Sequence, residues 1–94
     1  MALHRKIIWS PSAKQDLENS TDYLMHEWGN RIVLKFLKKL DWILSQIEIN
    51  PKQYPLIHSK FKLRRCVLTK QNALYYRIKK GDIEIVRIFD TRQD

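Results

Sequence analysis

The sequence predicts an α+β domain in which an N-terminal strand and an antiparallel two-helix hairpin pack on one face of a mainly antiparallel sheet, in the order β-α-α-β-β-β. Three observations carry that prediction. Apolar residues recur at three- and four-residue steps in the first half and at two-residue steps after residue 62. Pro and Gly stand only at the joints between these stretches, and the joints between the last strands are too short for a crossover. Ninety-four residues, 44% of them apolar, support one modest core, so a single domain covers 1–94.

Residues 3–9, LHRKIIW, read as a short strand that stops at Ser10-Pro11. Ser10 suits an N-cap and Pro11 the first helical position, with Asp16 and Glu18 near the positive helix end, which predicts a helix over 11–28. Ala13, Leu17, Thr21, Leu24 and Trp28 form its buried stripe. Gly29 supplies a left-handed stop, and Asn30 caps a second helix over 31–48 with Val33, Phe36, Leu37, Leu40, Ile43, Leu44 and Ile47 on one side. Trp42 falls off that stripe and is expected at the flank of the core. Asn50-Pro51 ends the helix, and 50–62 reads as an ordered loop with Tyr54, Leu56 and Ile57 tucked against the core. Strands follow at 63–69, 73–79 and 83–89, joined by KQN and KGD turns. Strict alternation places Leu74, Tyr76 and Ile78 on one face of the middle strand and Ala73, Tyr75 and Arg77 on the other. In the last strand it groups Ile83, Ile85, Arg87 and Phe89 against Glu84, Val86, Ile88 and Asp90.

Charge is distributed unevenly. The total is +8, but residues 1–50 carry seven basic and six acidic side chains, and 51–94 carry eleven and four. Between Glu48 and Asp82 there is no carboxylate, while Lys52, Lys60, Lys62, Arg64, Arg65, Lys70, Arg77, Lys79 and Lys80 accumulate. Such a surface on strands points to an anionic partner, nucleic acid or an acidic protein segment. The bland alternative is a solvated face, with Arg77 and Arg87 covering the sheet or pairing with Glu84 and Asp90.

Other chemistries find little support. Cys66 is the lone cysteine and sits in an alternating strand, so it reads as packing, in a chain suited to a reducing compartment. His4, His26 and His58 lie far apart without metal-ligand spacing, and no metal or cofactor is expected. The absence of a long apolar run predicts no membrane span and a cytoplasmic location.

The opening WSPSAKQDL at 9–17, the NPKQYP segment at 50–55 and the run YYRIKKGDIEIVRIFDTRQD from Tyr75 onward resemble, in this order, the RelE/ParE toxin superfamily of type II toxin–antitoxin modules, and more closely its ParE, plasmid-stabilisation branch. The resemblance implies a small basic toxin that forms a hetero-oligomer with an acidic, partly disordered antitoxin. It also implies one of two targets. RelE-like members cut messenger RNA on the ribosome, and ParE-like members poison DNA gyrase.

Metal-free RNA cleavage needs a base, an acid and cations around the phosphate. The arginine that RelE-like relatives carry near the start of the third strand matches Ala73 here, and a second family arginine matches Arg92. The late tyrosine or histidine of those relatives lies beyond Asp94 or is absent, and their second-helix lysines match Lys35, Lys38 and Lys39 only loosely. The expected function is therefore ParE-like inhibition of gyrase or replication. The alternatives are a ribosome-dependent endoribonuclease using Arg64, Arg65, Arg77 and Arg92 as phosphate clamps with His58 as acid or base, and a toxin that retains only antitoxin binding. The expected surface for target or antitoxin comprises Lys60, Lys62, Arg64, Arg65, Tyr75, Arg77, Arg87 and Arg92.

Overall fold

The computed structural model describes residues 5–90. The elements are β1 (Ile7–Trp9), α1 (Pro11–Trp28), α2 (Asn30–Ile49), β2 (Leu56–His58), β3 (Leu63–Val67), β4 (Asn72–Lys79) and β5 (Asp82–Asp90). The strands form one sheet in the order β1-β5-β4-β3-β2, with β1 parallel to β5 and the other pairs antiparallel. The helices lie on one face. Ala13 of α1 and Phe36, Leu40, Ile43 and Ile47 of α2 close over Cys66, Leu74, Tyr76, Ile83, Ile85 and Ile88.

Ser10 pins the joint between β1 and α1 through both its side chain and its backbone. Its Oγ accepts the Ala13 N–H (3.0 Å) and donates to the Val86 carbonyl (2.8 Å), while its own N–H reaches the Ile85 carbonyl (3.0 Å). The helix cap is thereby also a sheet contact. Gly29, at φ +85°, ends α1 through its N–H and holds the cap position of α2, so Asn30 is the first residue of that helix rather than its cap. Its backbone lies where a side chain is strained. Lys80 and Gly81, both at positive φ, form the two-residue turn between β4 and β5.

The strand faces differ from strict alternation at one place. Tyr75 pairs with Arg87, but Tyr76 pairs with Ile85, so Val86 is an extra residue in β5. This bulge shifts the phase of the strand. Ile83, Ile85 and Ile88 all point into the core, and Arg87 and Phe89 turn to the open face opposite Tyr75 and Ala73, instead of sharing a side with Ile83.

The segment 50–62 also differs from a loop, since Leu56–His58 forms an edge strand on β3. Leu56 and Ile57 are therefore exposed instead of tucked in, while Tyr54 does pack on the core, edge to face with Tyr76. Trp28 and Trp42 are exposed too, at 68% and 57%; Trp42 lies off the buried stripe of α2 formed by Val33, Phe36, Leu40, Ile43 and Ile47. Leu37, placed on the core side of α2 by its spacing, is more than a third exposed.

Candidate functional site

Cross-strand pairing arranges the open face of the sheet in rows. One row is Arg65, Tyr75 and Arg87; the next is Val67, Ala73 and Phe89; on the other side Arg77 faces Glu84 and Ile8. Within the first row the Arg65 Nε–H donates to the Tyr75 hydroxyl (3.1 Å), and the Tyr75 ring meets Phe89 edge to face at 5.3 Å. The Arg87 guanidinium lies over the Phe89 ring at 4.4 Å. Ala73 is fully buried, and its row neighbours Val67 and Phe89 are 56% and 43% exposed. At the strand position that the family resemblance associates with an arginine, this face is apolar.

Several cations of this surface are engaged inside the fold. Beyond the three residues of β1, the edge of β5 is covered by α1, and Asp16 fills that seam. Its carboxylate accepts Arg87 Nε–H (2.7 Å), Arg87 Nη2–H (2.9 Å) and the Ile88 backbone N–H (2.9 Å). The hydrogen bond from Arg87 to Asp16 raises the guanidinium pKa further. Asp16 thus serves β5 rather than the first turn of its own helix, and Arg87 pairs with it rather than with Asp90. Arg77 forms an ion pair with Glu84 across the β4–β5 ladder. Arg64 points to the helix side, where Nη1 donates to the carbonyls of Tyr54 (2.7 Å) and Lys52 (3.2 Å). It clamps the segment leading into β2. Of the four expected phosphate clamps, Arg64, Arg65 and Arg77 lie on two faces, and Arg92 lies outside the described residues.

A second cationic group lies at the opposite edge of the sheet. His58 pairs with Leu63, which shares a face of β3 with Arg65, and the turn that follows carries Lys60, Phe61 and Lys62. All three are exposed, and neither lysine forms an ion pair among the described residues. The His58 and Phe61 rings are stacked at 4.7 Å with 22° between their planes.

Two clefts flank α1. One, of about 510 Å³, runs between α1 and the end of β5, with Asp16, Tyr23, Leu24, Arg87 and Phe89 among its lining residues. The other, of about 470 Å³, lies between the helix elbow and the β3–β4 turn, lined by Leu24, Trp28, Ile32, Lys35, Lys39 and Leu68. Helical spacing alone assigns Trp28 to the buried stripe, yet it stands exposed at this cleft.

The buried hydroxyls and thiol behave as structure. Tyr76, fully buried, donates to the Pro51 carbonyl at 2.7 Å, and burial pushes its pKa up to about 12. Burial, followed by the neighbouring Cys66, likewise pushes Tyr54 up to about 12. Burial also raises the Cys66 pKa, which disfavours the nucleophilic thiolate.

Two helices on one side of a mixed five-stranded sheet give the α+β fold shared with the solved toxin structures described below. The family model for the ParE toxin of the type II toxin–antitoxin system parDE matches residues 7–94, and the chain belongs to that family. Solved structures agree on the fold. A chain from the chromosomal ParDE TA system of P. aeruginosa is 19% identical, with 93% of this chain and 96% of that one covered, at a TM-score of 0.76. The YoeB dimer from Staphylococcus aureus is 18% identical, with 93% and 97% covered and a TM-score of 0.68. YafQ from E. coli strain BL21(DE3) is 16% identical, with 94% of each chain covered and a TM-score of 0.66. No curated protein matches the sequence.

Proposed function

We propose that this toxin acts as ParE-like toxins do, by inhibiting DNA gyrase in the cytoplasm, and that a cognate acidic antitoxin neutralises it in a hetero-oligomer. The observation that carries this reading is the open-face row Val67–Ala73–Phe89. Cleaving RNA without metal requires mobile cations converging on one phosphate. Here an apolar row occupies the position where nuclease relatives carry arginine, and Arg77 and Arg87 are already neutralised by Glu84 and Asp16.

The antitoxin contact follows from the cleft at the helix elbow. Its apolar floor with Lys35 and Lys39 at the rim suits an amphipathic acidic helix, disordered until it docks. Supercoiling by purified gyrase in the presence of the protein tests the target: lost supercoiling with accumulating cleaved DNA supports the reading, and unimpaired supercoiling overturns it. Rescue of growth by a co-expressed small acidic neighbour tests the antitoxin.

The ribosome-dependent endoribonuclease remains the second reading. It is favoured by one feature, the Arg65 guanidinium held beside the Tyr75 hydroxyl on the open face, a cation and a phenol in hydrogen-bond contact.

A further inference from the structure

We propose that the turn joining β2 to β3 is a stacking platform for single-stranded nucleic acid, with His58 and Phe61 receiving a base and Lys60 and Lys62 the flanking phosphates. The platform rests on the toxin reading and names the chemistry that this edge of the protein meets in its target complex.

The turn is held in shape. The Phe61 N–H donates to His58 Nδ1 at 3.3 Å, the Lys62 N–H to the Ser59 carbonyl at 3.4 Å, and Lys62 adopts φ +58°. These bonds fix the two rings face to face at 4.7 Å. Because Nδ1 accepts a hydrogen bond, the neutral imidazole carries its proton on Nε2, where it can donate to a base edge or a phosphate.

The core does not use these rings. Phe61 is 51% exposed, and neither it nor His58 belongs to the core cluster or its packed neighbours. Adjoining exposed apolar groups rimmed by polar residues mark interaction sites. The surroundings indicate what binds. Lys60 Nζ lies 5.7 Å from the Phe61 ring centre, Lys62 follows in sequence, and no carboxylate occurs between Glu48 and Asp82. An acidic peptide would satisfy the lysines but gain little from a flat ring pair. A nucleotide satisfies both, stacking on the rings while its phosphates meet the ammonium groups. The base must be unpaired and splayed out to present its face, which selects single strands over duplex.

Fluorescence anisotropy with a labelled twelve-nucleotide single strand, over a series of salt concentrations, tests the platform. Phe61→Ala is expected to weaken binding roughly tenfold, whereas Phe61→Tyr, which keeps the ring, retains it. Lys60→Ala with Lys62→Ala should lower the slope of log K against log salt by about 1.4, on the order of 0.7 for each phosphate no longer neutralised. Lys38→Ala, on the exposed side of α2, serves as the charge control. Wild-type affinity in Phe61→Ala, or equal binding of duplex and single strand, would overturn the platform. Growth arrest without oligonucleotide binding would overturn it and leave the toxin reading intact. Oligonucleotide binding that responds to Phe61, without growth arrest, would support the platform and count against the toxin reading.

Discussion

The two ends of the sheet treat their cations in opposite ways. At the β5 end, Arg87 is held by two hydrogen bonds to Asp16, and the same carboxylate takes the Ile88 N–H, so the charge ties α1 to the sheet. At the β2–β3 end, Lys60 and Lys62 stand exposed in a stretch without carboxylates, next to exposed aromatic rings. The first arrangement stabilises the fold, and the second leaves charge available to a partner. Equal formal charge on two residues of one surface therefore says little about function until their partners are known.

Removing Asp16 should have the largest effect on this division. Asp16→Ala leaves a guanidinium and a backbone N–H without their acceptor in a half-buried seam, and it is expected to cost about 3 kcal/mol in urea unfolding. Asp16→Asn, which still offers an oxygen, should cost less. At the other edge, Lys60→Ala with Lys62→Ala should change stability by no more than about 0.5 kcal/mol. A comparable loss in both would erase the distinction between the two ends.

The core between them gives a pH signature. A tyrosine whose folded pKa is raised to about 12 keeps its proton while the unfolded chain, near 10, has lost it. Stability is therefore full below pH 10 and falls as pH rises from 10 to 12, by about 2–3 kcal/mol for the fully buried Tyr76. Urea titrations at successive pH values, with tyrosinate absorbance, would show this loss. In Tyr76→Phe the alkaline loss should shrink, at a cost near neutrality of about 1 kcal/mol for the bond to the Pro51 carbonyl.

A smaller loss than at Asp16 is expected at the joint between β1 and α1. Ser10→Ala removes both the helix cap and the bond to Val86, and should lower stability by about 1 kcal/mol, or somewhat more if the bulge loosens with it. Hydrogen exchange at Ile88 would read that loosening directly, since its N–H is held by Asp16 beside the bulge.

Much of the frame is legible in the sequence because it rests on local chemistry. The Ser10-Pro11 cap, the Gly29 stop and the Lys80-Gly81 turn are each dictated by a residue's own backbone preference. The bulge at Val86 is not, because no residue in Ile85–Arg87 is a Gly and a bulge depends on the partner strand and on Ser10 bonding to its carbonyl. That one irregularity decides which way Arg87 and Phe89 face. Likewise, the sequence shows Asp16 as an acidic residue on a helix, whereas its role depends on a strand more than seventy positions away. The accumulation of positive charge is visible from composition, but its division between internal partners and exposed turn emerges only on packing. Trp28 teaches the same lesson, since the helical period places it on the buried stripe although it stands exposed at the last position of α1.

A single culture in which the toxin is induced without an antitoxin, with DNA and ribosome-bound messenger RNA recovered together, decides between the two targets. Gyrase-trapped, broken DNA with uncut A-site codons is the predicted result. Site-specific cuts in the A site with intact DNA would contradict it, as would growth at the rate of uninduced cells.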